Sequence, residues 1–310
     1  MYQINSKTSN IINLNRPTMK KFLLLCTLCG LFSVGYTNIN SEQQTSEYEP
    51  KTEAENIVFA DAVVKAVCVS AFDTNGDGEL SYEEAAKVTS IPSNFFGENI
   101  GKVNTFNELQ YFTNLQVIKD RAFYGISPLS QIIIPESVIH IGSEAFSLTY
   151  IVSIVIPDSV KTIGNKAFFT CWHLDNIVLS KNITSIANYA FGNTDIQYVT
   201  IPEGITSIGS GAFYNCNRLV EVTIPSSVTA IGEEAFEHCE GLKTIYCKPT
   251  TPPTLDIISN KNYTICNDIG LFGQAKRYFK IYVPKESVKA YKKDRNWKCY
   301  SKCIEGYDFK

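Results

Sequence analysis

The chain has 310 residues, 44% hydrophobic and 19% charged, with a formal net charge of -3 at pH 7. That balance supplies enough apolar material for a sizeable core and excludes a disordered or fibrous chain. No cluster of Lys and Arg points to nucleic acid, and His140, His173 and His238 leave little material for histidine chemistry.

From Met19 the chain reads MKKFLLLCTLCGLFSVG. Two lysines precede an apolar run that falls well short of the ~20 residues a membrane span needs. Ser33 and Gly35 are spaced like a signal-peptidase site, so residues 1–35 read as an export signal whose true start is Met19. Acylation at Cys26 or Cys29 is the alternative, disfavoured because each follows a Leu. Residues 36–55 hold almost nothing that can enter a core and read as a disordered tether. Beyond them no stretch is apolar enough to cross a membrane, so the mature chain is expected to be secreted or held at the cell surface, by a lipid in the alternative reading.

The stretch FDTNGDGELSYEE fits an EF-hand calcium loop at every position. Asp73, Asn75 and Asp77 supply side-chain oxygens, Glu79 its carbonyl, Ser81 a hydroxyl and Glu84 a bidentate carboxylate, with Gly78 at the sharp turn. Ile57, Ala60, Val64, Val67, Cys68 and Ala71 recur at helical spacing before the loop, and SYEEAAKV continues as an exiting helix. Residues 56–100 are therefore expected to form a helical, EF-hand-like cap that binds Ca2+. A sensor hand opens against a second hand, and the chain has none, so the ion reads as a structural clip.

From residue 106 the pattern L-x-x-I-x-I returns every 22 or 23 residues. The rungs are Phe106/Leu109/Tyr111, Leu129/Ile132/Ile134, Ile151/Ile154/Ile156, Leu174/Ile177/Leu179, Ile196/Val199/Ile201, Leu219/Val222/Ile224 and Leu242/Ile245/Cys247. Between rungs run a Pro, an Ile-Gly and an Ala-Phe pair, the last at Phe123, Phe146, Phe168, Phe191, Phe213 and Phe236. This periodicity predicts a leucine-rich-repeat solenoid of short parallel strands over residues 101–249, with the aliphatic sites inward and the Phe column behind them. Residues 250–277 read as an insertion loop. Residues 278–310 read as a last rung, Tyr278/Ile281/Val283, and a capping helix in PKESVKAYKKDRNW.

Cys171, Cys216 and Cys239 share one slot with Ile126, Thr149 and Thr194, which marks a small buried site rather than a catalytic one. Cys247 with Cys266, and Cys299 with Cys303, are candidates for disulfides in an oxidising envelope, with the pairing left open. Asn182 and Asn262 fit the N-glycosylation pattern, which matters in a eukaryotic secretory route alone.

Common leucine-rich repeats carry an Asn after the strand, where this chain has Pro135, Pro157, Pro202 and Pro225. That Pro, the Ile-Gly and the Ala-Phe-x-x-Cys together resemble the BspA-like family of bacterial leucine-rich-repeat surface proteins, over roughly residues 55–310. The resemblance implies an exported or surface-attached protein of adhesin-like role that binds host proteins or other cells.

No nucleophile–base pair, phosphate loop or paired carboxylates stand out, so the chain reads as a non-enzyme. Its partner is expected to be a protein, with no nucleic acid and no membrane span in the mature chain. One outward column of the strands is Gln110, Ile133, Val155, Val178, Thr200, Thr223, Tyr246 and Tyr282, with Tyr198 in the next. Ile133, Val155 and Val178 form a candidate apolar patch, with Tyr198 and Tyr246 as anchors. Mutual support of β-branched neighbours explains the same pattern without a partner. Two other readings stand beside this one. The chain is an envelope assembly or scaffold component docking through its calcium segment, or a degradative enzyme built on Asp256 and Asp268 in the insertion.

Overall fold

Aliphatic residues at alternate positions, closed by a proline, give a short strand and then a corner. A computed structural model describes residues 55–255 and 279–309, all within one compact unit, Lys51–Lys310. The expected export signal, nearly all of the tether, and Asp256, Asn262, Cys266, Asp268 and Tyr278 lie outside those residues.

The repeated rungs form a seven-stranded parallel sheet. Its strands are Ser153–Val155, Asn176–Val178, Tyr198–Thr200, Glu221–Ile224, Thr244–Cys247, Lys280–Pro284 and Ile304–Tyr307, stacked in that order. Register advances by one coil per strand, pairing Ile154 with Ile177, Val199 with Val222, Val222 with Ile245, and Ile245 with Ile281. In front, Gln131–Ile132 pairs with Thr105–Phe106, and the Val152 N–H donates to the Ser130 carbonyl at 3.3 Å to continue the stack.

The Ile-Gly motif makes a second ladder that the repeat pattern alone did not announce as strand. Ser90–Ile91, Val117–Ile118, His140–Ile141 and Thr162–Ile163 form one parallel sheet. Ser185–Ile186, Ser207–Ile208, Ala230–Ile231 and Thr254–Leu255 form another. The glycine is needed because neighbouring coils touch backbone to backbone there. A Cβ on Gly142 would lie 2.4 Å from the Asp120 nitrogen, and one on Gly232 would lie 2.3 Å from the Ser210 nitrogen.

The third side of each coil is a hydrogen-bonded turn. Glu144, Lys166, Tyr189 and Glu234 hold positive φ of 53 to 59°, a region that disfavours side chains. Donors from the turns tie each coil to the next: Glu144 N–H to Asn165 at 2.9 Å, Lys166 N–H to Asn188 at 2.9 Å, and Tyr189 N–H to Ser210 at 2.8 Å. Such strain persists where surrounding bonds over-determine the backbone. Behind the turns the six phenylalanines form one buried stack, with ring centroids 5.1 to 5.7 Å apart from Phe123 through Phe236. Cys171, Cys216 and Cys239 are fully buried beside it, each thiol donating to a Phe carbonyl at 3.1 or 3.2 Å. That is the packing role expected of the slot.

Four expectations change. The first rung is a strand at Thr105–Phe106 alone, and Asn107–Tyr111 tightens into a 3-10 turn with Tyr111 half-buried. The repeat begins at Ser90 rather than beyond residue 100, because Ser90–Ile91 is already the second side of a coil. The segment from Lys248 to Leu255 does not break the repeat: Thr254–Leu255 extends the second ladder. After the expected helix, found at Val288–Lys293, a ninth rung Ile304–Tyr307 closes the main sheet.

The same segment anchors the far end. The Tyr291 hydroxyl donates to the Pro249 carbonyl at 2.8 Å, Trp297 Nε1 to Pro253 at 2.8 Å, and Ser287 to Thr250 at 2.7 Å. Tyr291 and Trp297 are fully buried, and the Cys247 thiol lies 3.4 Å from the Tyr291 hydroxyl.

Candidate functional site

At the front end Asp61 caps the Ala62–Phe72 helix, its Oδ1 accepting from the Val63 and Val64 amides. A loop follows, and Ser81 with Glu84 forms a capping box that starts the Tyr82–Lys87 helix. All six expected calcium ligands lie in or directly beside this loop. Asp73 accepts from the Gly76 amide at 2.7 Å and from Gly78 at 3.0 Å, while Asn75 accepts from Asp77 at 2.8 Å. Asp77 accepts from the Glu79 amide at 2.8 Å, and the Glu79 side chain turns away to Lys65 at 2.6 Å. Glu79 is thus left to offer its carbonyl.

Glu84 is buried. Its Oε1 accepts from the Thr74 amide (2.8 Å) and hydroxyl (2.9 Å), and its Oε2 from the Ser81 amide (3.0 Å) and hydroxyl (2.9 Å). The Ser81 and Thr74 amides hold its carboxyl down to about 2. In kind the donors suit a hard cation, and Gly78 with φ +82 makes the turn. In placement they do not converge, since Asp73, Asn75, Asp77 and Glu84 are each folded onto loop amides. Among the described residues no three acidic, histidine or cysteine side chains gather around one point.

The loop's outgoing backbone needs hydrogen-bond partners. Residues just ahead of the helix provide them: the Ile57 N–H donates to Leu80 at 2.8 Å and the Tyr82 N–H to Glu55 at 3.0 Å, around an antiparallel bridge between Asn56 and Ser81. Ile57 and Leu80 are buried together in the same core.

Val155, Val178 and Tyr198 face outward on the main sheet, Val155 49% and Tyr198 65% exposed, and Ile133 is exposed on the coil ahead, just after Gln131–Ile132. Tyr246 behaves differently. It stacks on Tyr282 at 5.4 Å and meets Tyr307 edge-on at 5.3 Å, so it belongs to a half-buried ring cluster at the other end of the face. Repeat reasoning missed four further exposed apolar side chains on these coils. Leu148, Tyr150, Val152 and Trp172 lie just before the strands of the same coils and are exposed, Trp172 at 50%. Their signal was present in the sequence: slots that other coils fill with Asp195, Asn217 or Glu240 hold Tyr150 and Trp172 here.

No helix among the described residues is long and apolar enough to cross a membrane. A search among curated proteins gives no match. Among solved structures the chain is similar to a leucine rich cell surface protein from Faecalibacterium prausnitzii A2-165 (25% identity, 51% of this chain and 57% of that one, TM-score 0.35). It is also similar to a leucine rich repeat protein from T. pallidum (28% identity, 44% and 53%, TM-score 0.34). A third is a leucine-rich repeat protein from Eubacterium ventriosum (19% identity, 63% of each chain, TM-score 0.33). The chain spans little more than half the length of the first two. The BspA type leucine rich repeat region matches in six copies, over residues 89–219 and 184–272. No catalytic family is indicated. With two parallel ladders repeating once per coil and that match covering more than half of its length, the chain belongs to the BspA type leucine-rich-repeat family.

Proposed function

We propose that the chain is an exported, surface-held, non-enzymatic binding protein of adhesin-like role. Its sheet face over residues 129–200 receives a protein partner. One observation carries the reading: large apolar side chains on three adjoining coils, Tyr150 and Val152, Trp172 and Val178, and Tyr198, are exposed on or just ahead of the outer strands. Exposed apolar side chains on successive coils suit a contact site, and Trp and Tyr are its usual anchors. Capture of the full chain on intact host and bacterial surfaces tests it. Trp172→Ala, and Val155→Ser with Val178→Ser, should each weaken capture at least about tenfold at unchanged thermal stability. Undiminished capture by both variants removes the face from the account.

Calcium belongs to the same proposal as a structural ion. Asp73, Asn75, Asp77, Ser81 and Glu84, with the Glu79 carbonyl, would hold it and stiffen the front cap. A second reading, an envelope scaffold docking through this segment, is favoured by an open groove of about 780 Å³. Ala62, Ala66 and Ser70 of the first helix line it on one side, and Pro92 and Phe95 of the first coil on the other. Capture abolished by chelator but indifferent to the sheet variants would select that reading.

A further inference from the structure

We propose that the outer face of the main sheet also pairs with the same face of a second copy of this chain. The twofold axis would run along the strands, between Tyr198–Thr200 and Glu221–Ile224. The proposal uses the partner-binding face and names a competing occupant for it.

The face has two unlike halves. Toward the front it carries exposed Val155, Val178 and Tyr198, and toward the back the packed rings of Tyr246, Tyr282 and Tyr307. A twofold axis along the strands keeps each position along a strand and reverses the order of the coils. It therefore sets the strand of Val178 against that of Tyr246, and the strand of Val155 against that of Tyr282. Rings of one copy then cover β-branched side chains of the other, which buries apolar surface from both.

Charge obeys the same operator. Asn176, Tyr198, Glu221 and Thr244 are register partners in turn, so Asp175 and Lys243, one residue earlier, share a strand position. Their strands lie equally far from the axis, one on each side. Among the described residues neither side chain takes part in an ion pair. The operator brings Asp175 of each copy against Lys243 of the other, twice per dimer. It also faces Tyr198 with Glu221, a hydroxyl donor with a carboxylate acceptor.

Strands about 4.8 Å apart and only a few residues long make a narrow face, at the low end for specific interfaces. The dimer is accordingly weak, with a dissociation constant on the order of 10–100 µM.

Sedimentation of the full chain from about 5 µM to about 1 mM, concentrations that bracket this range, reads it directly. The wild-type chain should pass from monomer to dimer. Asp175→Lys alone and Lys243→Asp alone should each raise the dissociation constant at least about tenfold, since each meets like charge twice. An equimolar mixture of the two variants should recover the dimer, because every contact again joins opposite charges. Recovery also shows that both variants are folded. A chain monomeric throughout, or a dimer indifferent to the charge reversals, or a mixture that stays monomeric overturns the proposal. Capture of cells by a strictly monomeric chain would leave the partner-binding reading standing without the dimer. A dimer that captures nothing would do the reverse.

Discussion

The Glu108 carboxylate accepts the Ala60 backbone N–H at 2.9 Å, joining residues 48 positions apart. Two more bonds run beside it: Asp61 Oδ2 accepts the Asn104 amide at 3.1 Å, and Asn114 Nδ2 donates to the Ala86 carbonyl at 2.8 Å. Asp61 thus caps its own helix with one oxygen and grips the first coil with the other. A stacked fold has an open apolar end that must be covered. Phe72 on the first helix provides cover by stacking on Phe95 at 5.5 Å and meeting Phe112 edge-on at 5.8 Å.

Removing the Glu108 acceptor should loosen that cover. Glu108→Ala leaves the Ala60 donor without its partner and should cost about 1–3 kcal/mol. Glu108→Gln keeps an acceptor oxygen and should cost less. Hydrogen exchange at Ala60 and denaturant unfolding check both. Equal protection of Ala60 in wild type and Glu108→Ala would show that the bond does not hold the cap.

Glu84 gives the cap an acid limit. Its carboxyl is lowered from the usual 4.5 to about 2 by the Ser81 and Thr74 amides. A lowered carboxyl stabilises the fold above its unfolded value and loses that contribution as the pH falls through the folded one. Cap stability should therefore be flat above about pH 4.5 and decline toward pH 2, with Glu84→Gln removing most of the slope. Amide exchange at Thr74 and Asn75 measured across that range reads the change.

Calcium should raise the melting midpoint of the full chain in proportion to the logarithm of its concentration above the dissociation constant. Asp73→Ala and Glu84→Gln should abolish the rise. An identical midpoint in excess calcium and in chelator would remove the ion from the cap.

In the body of the stack, Phe213→Ala should cost about 3–5 kcal/mol. Phe213 is fully buried between Phe191 at 5.6 Å and Phe236 at 5.4 Å, so a truncated ring leaves a hole bounded by two rigid neighbours. Denaturant unfolding gives the value. A cost near that of a surface substitution would show that the column relaxes into the gap.

Gly232→Ala tests the backbone approach in the second ladder. Its Cβ would sit 2.3 Å from the Ser210 nitrogen, and the coils must part to admit it, at a cost of about 1–3 kcal/mol. Gly101→Ala meets nothing within 4 Å and serves as the control, expected to be neutral or slightly stabilising. Matching melting midpoints for the two variants would contradict the close packing.

The stack was legible because its core repeats: Ile154, Ile177, Val199, Val222 and Ile245 occupy one inward column, and a periodic burial leaves a periodic sequence. The second ladder was harder to see. Two-residue strands such as Ser207–Ile208 are too short to show alternation, and a glycine after them reads first as a breaker. The ninth rung hid for another reason, since Ile304–Tyr307 contributes a single buried side chain, Ile304. Of the candidate sites, the loop's oxygen donors stood out in the sequence because donors at fixed spacing are a local pattern. Leu148, Tyr150, Val152 and Trp172 did not, because they belong to slots whose residue type varies from coil to coil and is mostly polar, and a repeat search attends to what stays the same.

Because each coil's backbone turn bonds reach to its neighbour, as Lys166 to Asn188 and Tyr189 to Ser210, the molecule's length is quantised. Excising one whole repeat between equivalent points would let Phe168 meet Phe213 in place of Phe191 and return every ladder to register. Cutting half a repeat would set glycine against phenylalanine all the way to the far cap. Lineages of such proteins should therefore lengthen and shorten by entire turns, while the two end pieces pass unchanged from one size to the next.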